Sequence, residues 1–600
     1  MTDASNTNAR GNKEGSFSQG VGGFAEYTVS MTEVKDKVRH EVKVPPKKVI
    51  PIIFLPGVMG SNLRMSAQRQ QRELGRPDNR AWRPDDLMNS KVSVALNRGF
   101  GGWYRKASPA QRQMIFDPNQ TEVDYYRYTE DKGKFDPDGR LTRESDARHQ
   151  NIPDNYSPVP PLIVDKMAQD GKRVKVTTTA AQIARWRGWS EILVDGAYEQ
   201  VLRTAEKAMN NMITQYDSIH PLGPWQPRSS YLYGDLLIPK EELRKISNCW
   251  YPVHAMGYNF LKSNADSAKS IAERIRGVVS GYQKRGFDCN EVIIVTHSMG
   301  GLVARALIHP NFGNLLNDSN VKVLGIYHSA MPTLGAAASY RRMRFGFQEK
   351  DGMQAEIFAE LIGIDGEHAT AILANTPAPL ELLPGTGYGK EWLRVVDRMG
   401  RTVRSWPNEN ETALDNIYLQ PAGAWWRLVN PDWVNPARFT SAAGGGITEV
   451  QKRLVRAVEF QDKIQKTFHP TQTYASFCVD KERLSYGNLV FKIMNPEIRD
   501  ASLADLPPAD TWTLLTDDRR GTMTVQAGKR VLTLALQPAT EPGDETVPAE
   551  RSARHITGKL FPHGNRSDES YEHQGSYANS KVLGSMLYSL AKIAATAKWD

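Results

Sequence analysis

The string VIIVTHSMGGLVARA, Val292–Ala306, limits what this chain can fold into more than any other. Its four β-branched apolar residues predict a strand buried on both faces, as in a parallel sheet. The strand breaks sharply at Ser298 and a helix leaves at once, with small residues on either side of the apex. The neighbouring text has the same rhythm. VIPIIFL (Val49–Leu55) predicts a buried strand that stops at Pro56-Gly57, and WYPVHAMGYNF predicts a strand running into a loop. A helix follows, with Asn264 as its N-cap, Ala268, Ile271, Ile275, Val278 and Tyr282 on one face, and Gly286 at its end. VKVLGIYHSAMP (Val321–Pro332) is the next strand. A β-α-β-α-β order of this kind predicts a mainly parallel, three-layer α/β sheet with right-handed crossovers.

A strand–serine–helix turn lifts a hydroxyl above the sheet edge at a helix N-terminus, the arrangement called a nucleophile elbow. The usual pattern is G-x-S-x-G; here Thr296 stands in place of the first Gly. A serine hydroxyl needs a base, a carboxylate to orient that base, and donors for an oxyanion. In this arrangement the chain order is Ser, acid, His. Asp544 in GDETVPAERS and Asp480 after TYASFCV both suit the acid. His573, in the loop before the final helix, stands where the base belongs. His555 and His563 also satisfy the order and read as solvated loop histidines. His309 and His328 come too early, and His368 and His469 fall in a predicted cap. The oxyanion donors expected are the amides of Met299, next to the nucleophile, and Val58, in the Gly-flanked loop after the first strand.

With 600 residues the chain holds two or three domains, or one domain swollen by insertions. Its 40% hydrophobic and 24% charged residues exclude a largely disordered chain. There is no apolar run of about 18 residues to predict a membrane-spanning helix, and the N-terminus lacks the apolar segment of a secretory signal. Three cysteines build neither a disulfide framework nor a zinc site, and no ligand cluster predicts a metal or cofactor. The net charge of +9 permits attraction to anionic surfaces without a basic stripe that would predict nucleic-acid binding.

VTHSMGGLVAR, FLPGVMGSNL, VHAMGYNF, GDETVP and EHQGSYANSKV together resemble motifs of the α/β-hydrolase superfamily, in particular lecithin:cholesterol acyltransferase-like lipases and phospholipases. The resemblance implies an α/β-hydrolase fold with large cap insertions. It implies Ser298, Asp544 and His573 as the triad, raising Asp544 above Asp480, with Val58 and Met299 as oxyanion donors. On this map, residues 1–22 are a flexible tail. The core comes in pieces at 23–63, 189–334, 471–496 and 541–600, with insertions at 64–188, 335–470 and 497–540. The segment 335–470 is expected to be a cap or lid. Its Trp392, Trp406, Trp425, Trp426 and Trp433 suit either an amphipathic lipid-facing surface or the cap's own core.

In overall form the chain also resembles bacterial type VI secretion lipase effectors. That resemblance implies synthesis in the cytoplasm without a signal peptide and export to a rival cell's membrane or periplasm. The partners implied are membrane phospholipid as substrate, an immunity protein and a component of the secretion apparatus. The expected chemistry is hydrolysis of glycerophospholipid acyl esters through an acyl-serine. The alternatives are an acyltransferase or general carboxylesterase of the same fold, or a catalytically silent binding protein.

Overall fold

The computed structural model describes residues 46–76, 79–83, 104–125, 184, 187–193, 197–213, 238–284, 286–349, 359–496 and 506–599, and the backbone of the strands Ser16–Gln19, Ala25–Val29, His40–Val44, Ile163–Met167 and Arg173–Thr177. Apart from Ser16–Gln19, the tail expected over 1–22 lies outside the described residues. So does much of 64–188, including Trp103 and Tyr126.

Six strands form the central sheet: β1 (Ile52–Leu55), β2 (Val253–Ala255), β3 (Glu291–His297), β4 (Lys322–Ser329), β5 (Thr473–Cys478) and β6 (Lys559–His563). Their order is β2-β1-β3-β4-β5-β6, and every neighbouring pair is parallel. Alternation along the strands splits the core in two, because successive side chains leave opposite faces. Ile53, Leu55, Val292 and Ile294 enter one apolar cluster; Ile52, Phe54, Ile293 and Val295 enter the other. Helices α2 (Asn264–Gln283) and α3 (Gly300–Ile308) cover the first face, and α1 (Glu199–Met209) and the C-terminal α6 (Ser580–Ala594) cover the second. Apolar runs such as VIIV are what a sheet covered on both faces requires.

One local expectation is corrected. The cap of α2 is Ser263, whose Oγ accepts from the Ala265 amide at 3.1 Å; Asn264 is the first helical residue. Ahead of α1, Trp189–Glu191 forms a short separate 3₁₀ turn. The turn is captured by the loop after β1: the Asn62 amide donates to the Glu191 carbonyl, and the Leu193 amide to the Gly60 carbonyl. Those pairings take backbone groups that a continuous helix would need.

A second six-stranded sheet runs in the order Thr402–Trp406, Leu393–Val396, Leu489–Ile493, Arg530–Leu536, Thr522–Ala527, Thr513–Asp517. Leu489–Ile493, expected among the core strands of 471–496, therefore belongs to this second sheet, where it pairs with Leu393–Val396 and Arg530–Leu536. Helices α4 (Ala337–Phe345) and α5 (Ile447–Ile464) contribute Tyr340, Met343, Val450 and Leu454 to the same cluster. The five tryptophans of 335–470 are buried and do not form a lipid-facing surface. Trp392, Trp406 and Trp425 are wholly buried and Trp426 and Trp433 nearly so. Trp406 stacks on Trp426 with centroids 4.9 Å apart, and Trp425 stacks on Trp512. Among the described residues no helix is long and apolar enough to cross a membrane.

The segment after α4 meets the start of α2 at Glu381. Its carboxylate accepts from Ser263 Oγ at 2.7 Å and from the Asn264 amide at 2.9 Å, at the start of α2. Burial pushes this carboxyl up to about 7, although both hydrogen bonds act in the other direction. The neutral form is favoured in the fold, so its contribution is complete below the ordinary carboxylate range and is lost as pH rises through about 7. Glu381→Gln keeps an acceptor without a charge. It is expected to melt roughly 2–4 °C above the parent at pH 8 and level with it at pH 4, read by thermal unfolding. A variant less stable than the parent at pH 8 would mean that α2 favours the charge.

Candidate active site

The elbow is built by close approach. Ser298 has φ +50°, the left-handed region, at the turn from β3 into α3. Its amide donates to the Ser329 carbonyl of β4 at 2.9 Å, which fixes the turn above the sheet edge. A Cβ at Gly300 would stand 2.5 Å from the carbonyl oxygens of Leu55 and Pro56, and one at Gly301 would strike Met331. Gly57, after β1, is pressed against His297 and Ser298 in the same way. Gly300→Ala is therefore expected to cost about 1–3 kcal/mol, measured by denaturant unfolding. A loss below about 0.5 kcal/mol would show that the turn relaxes freely.

Thr296 fits where a Gly is usual because its side chain has a partner. Thr296 Oγ1 lies 2.9 Å from His328 Nδ1 on the adjoining strand, and the Thr296 carbonyl accepts from Tyr577 Oη at 2.8 Å.

The structure brings Ser298, His573 and Asp544 together. His573 Nε2 is 2.8 Å from Ser298 Oγ, and His573 Nδ1 is 2.8 Å from Asp544 Oδ2. The His573 amide also donates to the Asp544 carbonyl, so side chain and main chain are both registered on the acid turn. Asp544 Oδ1 accepts from the amides of Thr546 and Val547 at 3.1 and 2.7 Å. Burial works to raise the Asp544 carboxyl, but His573 and these two amides outweigh it and hold it below the usual carboxylate value. The acid turn carries a left-handed non-glycine residue, Glu545 at φ +72°, held by Arg483 at 2.6 Å. Arg483 also donates to Ser570 on the histidine loop. Asp480, the other acid considered, accepts from Ser570 and stays on that outer network.

His563 is corrected: it is a buried residue on β6, its Nε2 3.2 Å from Ser585 Oγ, and burial lowers it to about 4. His555 is exposed and bonds the Glu550 carbonyl. Val58 lies in the loop packed on the elbow and Met299 directly follows Ser298. Among the described residues neither amide donates to another protein group.

An apolar cavity adjoins the loop after β1, lined by Val58, Met59, Phe116, Phe260, Leu382 and Arg342 among others. Arg342, on α4, ties its wall to the acid turn through Thr546 Oγ1 at 3.0 Å and is held by Glu349 at 2.7 Å. Two residues that contact the site went unnoticed in the sequence. Tyr198 lies in no motif, and Arg342 stands in a basic run without one.

A parallel sheet with a serine elbow after β3, an acid turn before β6 and a histidine loop after it defines an α/β-hydrolase. The family profile of a PGAP1-like alpha/beta domain matches residues 255–339, from the end of β2 through the elbow into α4. Among solved structures, a chain in the crystal structure of the Tle4-Tli4 complex aligns with a TM-score of 0.66 and 25% identity, covering 92% of this chain and 99% of that one. No curated protein matches the chain by sequence. Fold and comparisons together support a hydrolase of the esterase and lipase class.

Proposed function

We propose that the protein is a serine lipase that cleaves acyl esters of membrane glycerophospholipids. The observation that carries this reading is the unbroken hydrogen-bonded series Ser298–His573–Asp544 near an apolar cavity. His573 would take the Ser298 proton as Oγ attacks the ester carbonyl, and Asp544 would hold the imidazole in the needed tautomer. The amides of Val58 and Met299 would receive the oxyanion. His573 would then protonate the leaving alcohol and, in the second half, activate water to release the acyl group from Ser298. The apolar walls of the cavity suit an acyl chain.

The same reading extends to delivery as a type VI secretion effector with antibacterial action and an immunity protein as partner. Its support is the sequence resemblance to that group together with the similarity to a chain solved as part of a two-protein complex. The partition of the chain into core pieces and insertions is likewise proposed, with 335–470, the strand Leu489–Ile493 and 506–540 as one cap sharing the second sheet.

Phospholipid vesicles incubated with the purified protein, with products identified by mass spectrometry, test the chemistry. Free fatty acid and lysophospholipid are expected from the parent and not from Ser298→Ala; release by both, or by neither, would overturn the reading. Expression directed to the bacterial periplasm is expected to be toxic, and harmless accumulation there would remove the effector role.

A further inference from the structure

Gly57, Tyr198, His297 and His573 come from four separate parts of the chain and meet in one buried series. The Gly57 amide is 3.0 Å from Tyr198 Oη, Tyr198 Oη is 2.9 Å from His297 Nδ1, and His297 Nε2 is 3.0 Å from the His573 carbonyl oxygen. Both ends have a single role, since an amide N–H only donates and a carbonyl oxygen only accepts. Gly57 therefore donates to Tyr198, and His297 donates through Nε2–H. The Tyr198 hydroxyl donates to Nδ1 because His297 is neutral, with its proton on Nε2. Burial, together with the charge of His573, pushes it down to about 3, and burial pushes the Tyr198 hydroxyl up to about 12; both groups keep these forms at ordinary pH.

The series spans the three segments that the proposed reaction needs in register. Gly57 precedes Val58, the proposed oxyanion donor. His297 precedes Ser298, and the His573 carbonyl belongs to the proposed base. Packing supports the hydrogen bonds: the Tyr198 and His297 rings lie 5.5 Å apart, His297 and His573 5.2 Å, and Phe54 of β1 lies 5.0 Å from Tyr198. A Cβ at Gly60 would stand 2.8 Å from Tyr198 Oη, so the hydroxyl is seated inside the loop. Inside a protein such chains are cooperative, and an unmade link leaves a buried polar group without a partner.

We infer that Tyr198 and His297 are positioning residues, which lock the oxyanion loop and the base histidine onto the nucleophile turn through this one-directional hydrogen-bond chain. The inference rests on the esterase reading above. Neither side chain has to touch the substrate. Their effect is on how well the reacting groups are aligned, and so on kcat more than on KM.

The test uses a soluble short-chain aryl ester, with kcat and KM measured for the full chain and with Ser298 labelling by a fluorophosphonate followed in time. Tyr198→Phe removes one oxygen, strands the Gly57 amide and His297 Nδ1, and is expected to lower kcat by about 10- to 100-fold, with KM within about threefold. Labelling should slow in parallel. His297→Gln keeps a donor and an acceptor on one planar amide and should retain more kcat than His297→Leu. The double variant Tyr198→Phe/His297→Gln should fall no further than the worse single variant, because links of one chain are not additive. A folded Tyr198→Phe with parental kcat, or effects of the two residues that multiply, would overturn the inference while parental turnover left the esterase reading standing. An inactive, unlabelled parent would overturn both.

Discussion

Ser298→Ala is expected to reduce ester turnover by about 10⁴- to 10⁶-fold and to leave the fold unchanged. The size follows from what the hydroxyl would do: without Oγ no acyl-enzyme forms, and the residual rate is what binding and oxyanion donors alone supply to water attack. The fold is expected to survive because Ala has the same Cβ in the same left-handed turn, so the strain at φ +50° is common to both residues. The Ser298 amide keeps its bond to Ser329, and Gly300 and Gly301 still admit the close approach of α3. Turnover on vesicles and fluorophosphonate labelling measure the effect, with thermal unfolding as the control. A folded Ser298→Ala protein that retained a tenth of the parental rate would place the nucleophile elsewhere.

Asp544→Asn is expected to cost about 10⁴-fold in kcat. The reason lies in the second carboxylate oxygen. Oδ1 accepts from the Thr546 and Val547 amides, and the Asn carbonyl oxygen must stay there to satisfy them. The Asn NH₂ then faces His573 Nδ1, which can only accept from it. His573 is left with its proton on Nε2, turned toward Ser298 Oγ and unable to receive one. The variant also removes a titrating group. Since Asp544 is held below the ordinary carboxylate value, its contribution to stability is present above that value and is lost as pH falls through its own. Stopped kinetics and unfolding at neutral and acid pH separate the two effects. An Asp544→Asn protein within tenfold of the parent would assign the orienting role to another group.

Much of this site was legible in the amino-acid sequence because it is local. The apolar run VIIV, the serine turn and the small residues after it stand within one string, and steric crowding at that turn leaves few residue types for it. Asp544 and His573 were legible only through order along the chain and a resemblance of short motifs. Asp480 equally satisfied the spacing, and what separates the two acids is a distance. The tryptophans of 335–470 left two readings open, since a large aromatic residue suits a buried core and a lipid-facing surface equally well until its neighbours are known. His563 misled for the converse reason: a polar ring in loop-like text proved to be a buried group with a hydroxyl partner.

The sequence by itself determined the β–turn–α units of a parallel sheet and the seat of the serine, because periodicity and turn sterics act over a few residues. Only the tertiary structure decided that Leu489–Ile493 joins the second sheet, that Asp544 and not Asp480 faces His573, and that Tyr198 reaches the loop after β1. Each of these depends on which distant segments share a sheet edge or a hydrogen bond, and the free energy of those pairings is carried by groups that are far apart in the chain.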